Sequence, residues 1–340
     1  MTAQFDRKAT LLAGGADDNG IDLSELRFTF EVRRGDTQTP NWARIKIFNP
    51  NPSDVNRIRD EFSRVVLSAG YAGNIGIIFD GQLVQPRQGR ENATDTYLDL
   101  TCADGDRAYN FAVVSTTLAA GATHADVVNA VAQAMAKKGV TLGYIPDLTG
   151  NAYPRGCVLF GMARDIMETV AVDLDMDWSI QNGQLTMIPR TSFIPGEAVV
   201  VAPDTGMVGL PVQMRNYIMV RILLNPNVKI GTIIRLENSL IQQYEFSLNV
   251  NQQGQNGFDA LQNRLNNASG QFGFYRVMIA EHIGDTRGND WYTDVTCIAV
   301  DTTATIELAN KATQGAVAPA PPKIDPSNPF GSTGPVNPYG

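Results

Sequence analysis

Apolar and polar residues alternate with a period of two through the first third of the chain. Leu26, Phe28, Phe30 and Val32 alternate with charged and polar side chains, and the same pattern recurs over residues 43–47 and 98–102. Such a period with one apolar face predicts half-buried strands. Turn signals separate the strands at 34–36, 49–52, 80–81 and 104–105. Short strands with regular turns predict an antiparallel barrel or sandwich.

One short helix is predicted to cross between residues 53 and 62 of this region. Ser53 is its candidate N-cap, and Val55 and Ile58 share its inner face.

In the middle of the chain the apolar spacing changes to that of helices. Thr123 is predicted to cap a helix, because Asp126 follows it by three residues, and Gly139 is predicted to end it. A second helix is predicted over residues 158–174. The Asn-Gly pair at 182–183 lies between two apolar runs and predicts a hairpin. The middle of the chain is therefore predicted to form a small α+β domain.

The final third returns to strand spacing. Strands are predicted at 218–224, 230–236, 244–250, 274–280 and 291–300. A polar insertion at 251–270 interrupts them with one short helix. From residue 314 onward the chain is rich in Pro, Gly and Ala, which predicts an extended tail because that composition cannot build a core.

The amino-acid composition limits the classes of function that this protein can have. The chain has 340 residues and a formal net charge of -8. Nucleic-acid binding needs clustered Lys and Arg, and the sequence has no such cluster. Its three cysteines are far apart and predict buried thiols in a reducing compartment. The polar start and the lack of a long apolar run predict assembly in a bacterial cytoplasm without a secretory route.

Candidate catalytic groups are few. The two histidines, His124 and His282, are predicted to lie at a surface or an interface, and no nucleophile elbow, phosphate-binding loop or zinc motif is present.

Three aspartates at 173, 175 and 177 have the spacing that opens a calcium loop, but the Gly and distal Glu are missing, so a helix end entering a strand is favoured. The Gly- and Asp-rich loop at 14–20 is predicted to be a hairpin tip. We expect no enzymatic activity, no cofactor and no metal.

Several segments together resemble the tail and baseplate hub proteins of bacteriophages. This family includes the late control gene D proteins and the hub part of type VI secretion spike proteins. The segments are 22–32, 45–50, 69–73, 78–83, 103–109, 204–211, 273–277 and 282–292. They keep their order over about residues 1–305, and the run from Gly284-Asp285 to Trp291-Tyr292 is the most specific. The insertion and the Pro-rich tail depart from the family pattern.

The resemblance implies an architecture and no catalytic residues. It implies a β-rich α+β fold in which two tail-tube-like antiparallel β-barrel domains flank a small α+β domain. The implied division is a first barrel domain at 1–112, the α+β domain at 113–195, a second barrel domain at 196–306 and the tail at 307–340.

The resemblance also implies an assembly. A homotrimer would form a pseudo-six-fold ring that joins the tail tube protein to a three-fold central spike or tip protein, among other baseplate proteins. DNA would cross the ring without sequence-specific binding, so its lumen is expected to be acidic or neutral. The protein would then be part of the virion tail, without a membrane anchor.

Two other points remain open at this stage. In the tail, Phe330, Val336 and Tyr339 are predicted to contact a neighbouring subunit. The alternative function is a receptor- or glycan-binding protein on the tail surface, for which Trp291 and Tyr292 are the candidate aromatic pair. A cell-wall hydrolase is the least favoured class, because no motif supports it.

Overall fold

The computed structural model describes residues 6–15, 20–148, 152–214, 217–237, 240–241 and 272–300. Strands dominate this part of the chain. The strands are β1 (Arg7–Gly14), β2 (Gly20–Asp22), β3 (Phe28–Gly35), β4 (Trp42–Phe48), β5 (Arg64–Tyr71), β6 (Asn74–Arg90), β7 (Thr96–Ala103), β8 (Val113–Leu118), β9 (Thr141–Leu142), β10 (Cys157–Met162), β11 (Met176–Gln181), β12 (Gln184–Pro189), β13 (Val199–Val201), β14 (Met207–Gln213), β15 (Ile218–Leu223), β16 (Ile233–Glu237), β17 (Phe272–Asp285) and β18 (Trp291–Ala299).

The described helices are short, and they are fewer than the strands. They are α1 (Pro52–Asp60), α2 (Asp106–Phe111), α3 (His124–Ala136) and α4 (Ala163–Asp173), with a 3₁₀ turn at Pro203–Thr205. Among the described helices, none combines the length and the apolar character needed to cross a lipid bilayer.

One 13-stranded sheet holds the strands of the first and last thirds. Its order is β14-β15-β18-β17-β3-β4-β7-β6-β5-β1-β2, with β16 paired to β17 and β13 paired to β16. All of these pairs are antiparallel except β13 with β16. The strands predicted over 26–32, 43–47, 98–102 and 218–224 correspond to β3, β4, β7 and β15, although β3 begins only at Phe28 and β15 ends at Leu223. Among the described strands the order is an open path with ends at β2 and β14, so the predicted barrels are not closed by strand pairing.

The long strand β17 joins the two parts of this sheet. One edge of β17 pairs with β18 along almost its whole length. On the other edge, its first half pairs with β16 up to Arg276, and its second half pairs with β3 from Ile279 onward. The β17–β18 register shifts between Val277 and Ile279, as at a β-bulge. The change of partner therefore coincides with the bulge.

Three clusters of buried apolar side chains lie in the described part of the chain. The first is enclosed by β1, β3 to β7 and α1, and it also receives Trp291 from β18. The second lies between α3, α4 and the small sheets β8–β10 and β9–β12–β11. The third is formed by β15 to β18. Cys102 and Cys297 are buried as predicted, whereas Cys157 is only partly buried, and all three are free thiols.

In α1 the predicted inner face is confirmed, but the predicted N-cap is not. Val55 and Ile58 of α1 are buried as predicted. The predicted cap was wrong by two residues: Asn51 is the N-cap, and its side-chain oxygen accepts from the Ser53 backbone N–H. Proline at position 52 starts the helix, because its missing N–H is not needed there.

The predicted capping of α3 is confirmed. The Thr123 N–H donates to Asp126 Oδ2 at 2.7 Å. Val127, Val131 and Met135 are buried.

The predicted second helix began too early. Residues Cys157–Met162 form strand β10, and the helix α4 runs only from Ala163 to Asp173. Leu159 and Met162 fit a helical stripe, but Val158 and Phe160 also fit an alternating strand, and pairing with β8 decided between the two. The predicted hairpin is confirmed, because Gln181 pairs with Gln184 around Asn182-Gly183, both with positive φ.

Candidate functional site

A buried polar junction lies between the three apolar clusters. Its centre is Arg276 on β17, whose side chain is 3% exposed. Arg276 Nη2 donates to Asp36 Oδ2 at 2.9 Å and to Asp177 Oδ2 at 3.2 Å. Arg276 Nη1 donates to the carbonyl oxygens of Pro189 at 2.9 Å and Ser192 at 3.3 Å. One guanidinium group thus holds the end of β3, the hairpin β11–β12 and the segment after it.

Burial determines the electrostatics around Arg276. It raises the pKa of Asp36, and the neighbouring charge of Arg276 acts in the opposite direction. A buried carboxylate is costly without a partner, and a buried guanidinium likewise needs acceptors for its donors. The five acceptors around Arg276 are carboxylate and carbonyl oxygens of the protein itself. The arrangement is suited to fixing the clusters relative to each other.

A second group of polar contacts docks the β11–β12 hairpin onto the first cluster. Gln181 Oε1 accepts from Arg34 Nη2 and from Asn41 Nδ2, both at 3.0 Å. Gln181 Nε2 donates to the Gly35 carbonyl oxygen at 2.7 Å. Because Arg34 and Asn41 are almost fully buried, their donors need these acceptors.

Asp104 at the end of β7 receives the tip of the same hairpin. Its two carboxylate oxygens accept from the backbone N–H groups of Asn182 and Gly183. Burial raises the pKa of Asp104 to about 7, while the two N–H groups and the charge of Arg34 lower it. The left-handed backbone at Asn182-Gly183 aims both N–H groups at one carboxylate, as in an anion-binding nest. In this structure the side-chain carboxyl group of Asp104 takes the position that a bound anion has in such a nest.

His282 lies inside the sheet beside this junction. The prediction of a surface or interface position was wrong, because the residue is 0% exposed between β3 and β18. Its Nδ1 is 2.8 Å from Thr293 Oγ1, and its Nε2 has no hydrogen-bond partner among the described residues. Burial, and to a smaller extent the charge of Arg34, lowers the pKa of His282 to about 3. The imidazole is therefore neutral over the physiological pH range.

This burial predicts an acid-sensitive contribution to stability. The folded pKa of His282 lies below its ordinary value of 6.5, so the unfolded chain takes up the proton first as the pH falls. The stability that His282 contributes is present above pH 6.5 and is lost progressively toward pH 3. Between pH 7 and pH 5 the wild-type protein should lose about 2 kcal/mol of unfolding free energy more than the His282→Asn variant. Urea unfolding at both pH values measures the difference.

The matched control for this prediction is His124→Asn, which removes the other histidine of the chain. His124 lies in the first turn of α3 beside the Tyr153 ring and is partly exposed. An unchanged pH dependence in His282→Asn would contradict the neutral, buried assignment.

The other residues considered from the sequence have structural partners or lie elsewhere. Asp175 and Asp177 form ion pairs with Arg190 at 3.3 and 3.1 Å. Asp173 is 4.0 Å from His124. In the described ranges, no group of three His, Cys, Asp or Glu side chains is arranged to hold a metal ion. Phe330, Val336 and Tyr339 lie outside the described residues, as do 16–19 in the Gly- and Asp-rich loop, the predicted strand 244–250 and the insertion 251–270.

The sequence does not predict that the residues around Arg276 form a junction, although Asp177 stands among the three aspartates considered as a calcium loop. Arg276 stands in the otherwise apolar run of a predicted strand, and this break in the pattern was the available signal. Asp36 and Asp104 were interpreted only as turn residues. Nothing in the spacing of these residues indicates that Asp36 meets Arg276 or that Asp104 meets the 182–183 turn, because these contacts span 240 and 78 residues.

Similarity to solved structures is found at the level of the fold. No protein-family model and no curated protein sequence matches this chain. The 43 kDa tail protein of prophage MuSo2 from Shewanella oneidensis aligns with a TM-score of 0.52 at 7% identity, over 86% of this chain and 98% of that protein. A tail protein from Neisseria meningitidis MC58 aligns with a TM-score of 0.53 at 9% identity, over 86% and 97%. The chain therefore shares its fold with these two tail proteins.

Proposed function

We propose that this protein is a structural component of a bacteriophage tail. The observation that carries the proposal is the fold, which aligns over 86% of this chain with two tail proteins along nearly their whole length. Two features of the site support a structural role. The buried carboxylates of Asp36 and Asp104 and the side-chain amide of Gln181 are hydrogen-bonded to other groups of the protein, and these contacts hold three apolar clusters in one arrangement.

Within the tail, the role we propose is that of the baseplate or tail-tip hub. The first and third clusters would be the cores of two tube-like barrel domains, at 1–112 and 196–306, and the second would be the core of the α+β domain at 113–195. Three copies would then carry six such domains in a pseudo-six-fold ring. A ring of this kind would match a six-fold tube on one side and a three-fold spike or tip on the other.

The proposed partners follow from this position. They are the tail tube protein, the central spike or tip protein and other baseplate proteins, in a virion tail assembled in the bacterial host. A channel through the ring would let DNA pass, and the net charge of -8 fits a lumen that does not bind phosphate. A lumen lined mainly with Lys and Arg would contradict this role.

The test is the native mass of the purified full chain over a range of concentrations, followed by electron microscopy of the assembled fraction. We expect a trimer with a ring-shaped, pseudo-six-fold projection. The ring surfaces are heterologous, so assembly should stop at the closed species and produce no longer polymers. A monomer at every concentration would contradict self-assembly into a hub.

The alternative, a glycan- or receptor-binding role, is not supported by its candidate aromatic pair, because one of the two rings is buried. Trp291 is 1% exposed, and only Tyr292 is accessible. Carbohydrate recognition by that pair would need both rings at the surface.

A further inference from the structure

An exposed apolar face lies on the two-stranded sheet β8–β10. Val113, Ser115 and Thr117 of β8 lie opposite Met162, Phe160 and Val158 of β10, and directly opposed residues share one face of an antiparallel pair. On this face Phe160 is 79% exposed, Val158 73% and Val113 55%. Phe111, at the end of α2 just before β8, is 64% exposed. The other face packs on the second cluster through Val114 and Leu159.

The lack of charge on this sheet is unusual for exposed strands. Neither β8 nor β10 contains a charged residue or a proline, and among the described strands they pair only with each other. Natural proteins usually protect open strand edges with charges, prolines or bulges. Contiguous exposed apolar patches are typical of surfaces that bind a partner or a ligand.

The chain itself contains a segment of matching chemistry. Residues 326–331 and 335–340 are two copies of the pattern Pro-x-Asn-Pro-aromatic-Gly, with Phe330 and Tyr339 as the aromatic residues. Residues 326–340 contain no Asp, Glu, Lys or Arg, in a chain that is 18% charged. A linker needs no such repeat, whereas segments with the spacing Pro-x-x-Pro, which both copies contain, are a common form of peptide ligand.

The spacing and length of the repeat fit the face. In a polyproline II helix with three residues per turn, positions separated by three share one side, and within the second repeat Val336 and Tyr339 are spaced by three. Six residues in this conformation span about 19 Å. A six-residue strand such as β8 or β10 is about 20 Å long. One repeat unit therefore covers the length of the sheet.

The segment also has the reach to arrive at this face. The described chain leaves the third cluster after β18, and forty residues, 301–340, follow. A chain of that length spans up to about 130 Å when extended. It can reach the β8–β10 face of its own copy or of an adjacent one.

We propose that the β8–β10 face is a docking site for the C-terminal segment 326–340 of this chain, bound through the aromatic residues of its Pro-x-Asn-Pro-aromatic-Gly repeats. Phe160 and Val158 form the apolar floor of the site, and Phe111 and Val113 extend it at one end. Proline-rich ligands lose little conformational entropy on binding, so a small apolar face is sufficient. The proposal goes beyond the tail role and does not depend on it.

Photo-cross-linking in the full chain tests the proposal. A benzophenone amino acid replaces Tyr339, and mass spectrometry locates the cross-linked residues after irradiation. We expect cross-links within Val113–Leu118 and Cys157–Met162, either inside one chain or between two copies. Cross-links confined to other surfaces, to a different protein, or absent altogether would overturn the proposal.

Two matched substitutions separate docking from folding. Val158→Asp places a charge on the proposed site, while Val84→Asp places one on another exposed strand valine, in β6, that is 52% exposed. We expect Val158→Asp to reduce the cross-link yield about tenfold, as for loss of a central interface contact, and Val84→Asp to leave it unchanged. Urea midpoints equal to that of the parent protein show that both variants are folded. Equal yields in the two variants would contradict the assignment of the face.

Discussion

Replacement of Arg276 by methionine is expected to lower the free energy of unfolding by about 3–5 kcal/mol. The substitution removes the cation and leaves the Asp36 carboxylate, whose side chain is 6% exposed, without its charged partner. It also leaves the carbonyl oxygens of Pro189, Arg190 and Ser192 without their shared donor. An unpaired buried charge is much more costly than a lost surface ion pair. Equilibrium urea unfolding measures the change.

Arg221→Met is the control for this prediction. Arg221 also lies on a strand of the large sheet and also pairs with an aspartate, Asp294, but its side chain is 51% exposed. Loss of such a pair should cost less than about 1 kcal/mol. Adding Asp36→Leu to Arg276→Met should recover part of the lost stability, because the uncompensated carboxylate is then gone. Equal costs for the two arginines would show that the junction contributes no more than a surface pair.

Replacement of Trp291 by alanine is expected to cost about 3–5 kcal/mol. The indole belongs to β18 but lies in the first cluster, where it meets the Phe30 ring edge-to-face at 5.4 Å between centroids. Its Nε1 donates to the Gly70 carbonyl oxygen at 3.3 Å. The fit is tight, because a Cβ at Gly284, the cross-strand partner of Trp291, would come within 2.9 Å of the indole. Alanine would leave a cavity where β18 enters the first cluster.

Tyr292→Ala provides the comparison within the same strand. Tyr292 follows Trp291 and faces the other side of the sheet, where it is partly exposed and carries Arg221 over its ring. Its loss should cost clearly less than the loss of Trp291, and thermal unfolding followed by tryptophan fluorescence and far-UV circular dichroism reports both. A smaller effect for Trp291→Ala than for Tyr292→Ala would be incompatible with the indole as a core residue.

Features that depend on neighbouring residues were predictable from the sequence. The buried alternation in β3, β4 and β7, the capping of α3 by Thr123 and Asp126, and the hairpin at 182–183 were all predicted. Each follows from steric or hydrogen-bond preferences acting within a few residues. The helix predicted from residue 158 is wrong over β10, because both a helical and a strand period fit these residues. Only the pairing with β8 shows that they form a strand.

The sequence by itself determined the strand-rich class of this protein, its order of β-rich, helical and β-rich parts, and most of its turns. The tertiary structure alone decided that β17 joins the first and last thirds into one sheet, and that Arg276, Asp36 and Asp177 meet inside it. It also decided that His282 is buried and Phe160 exposed. The physical reason is that burial and ion pairing depend on which distant segments pack together, and local spacing carries no information about that choice.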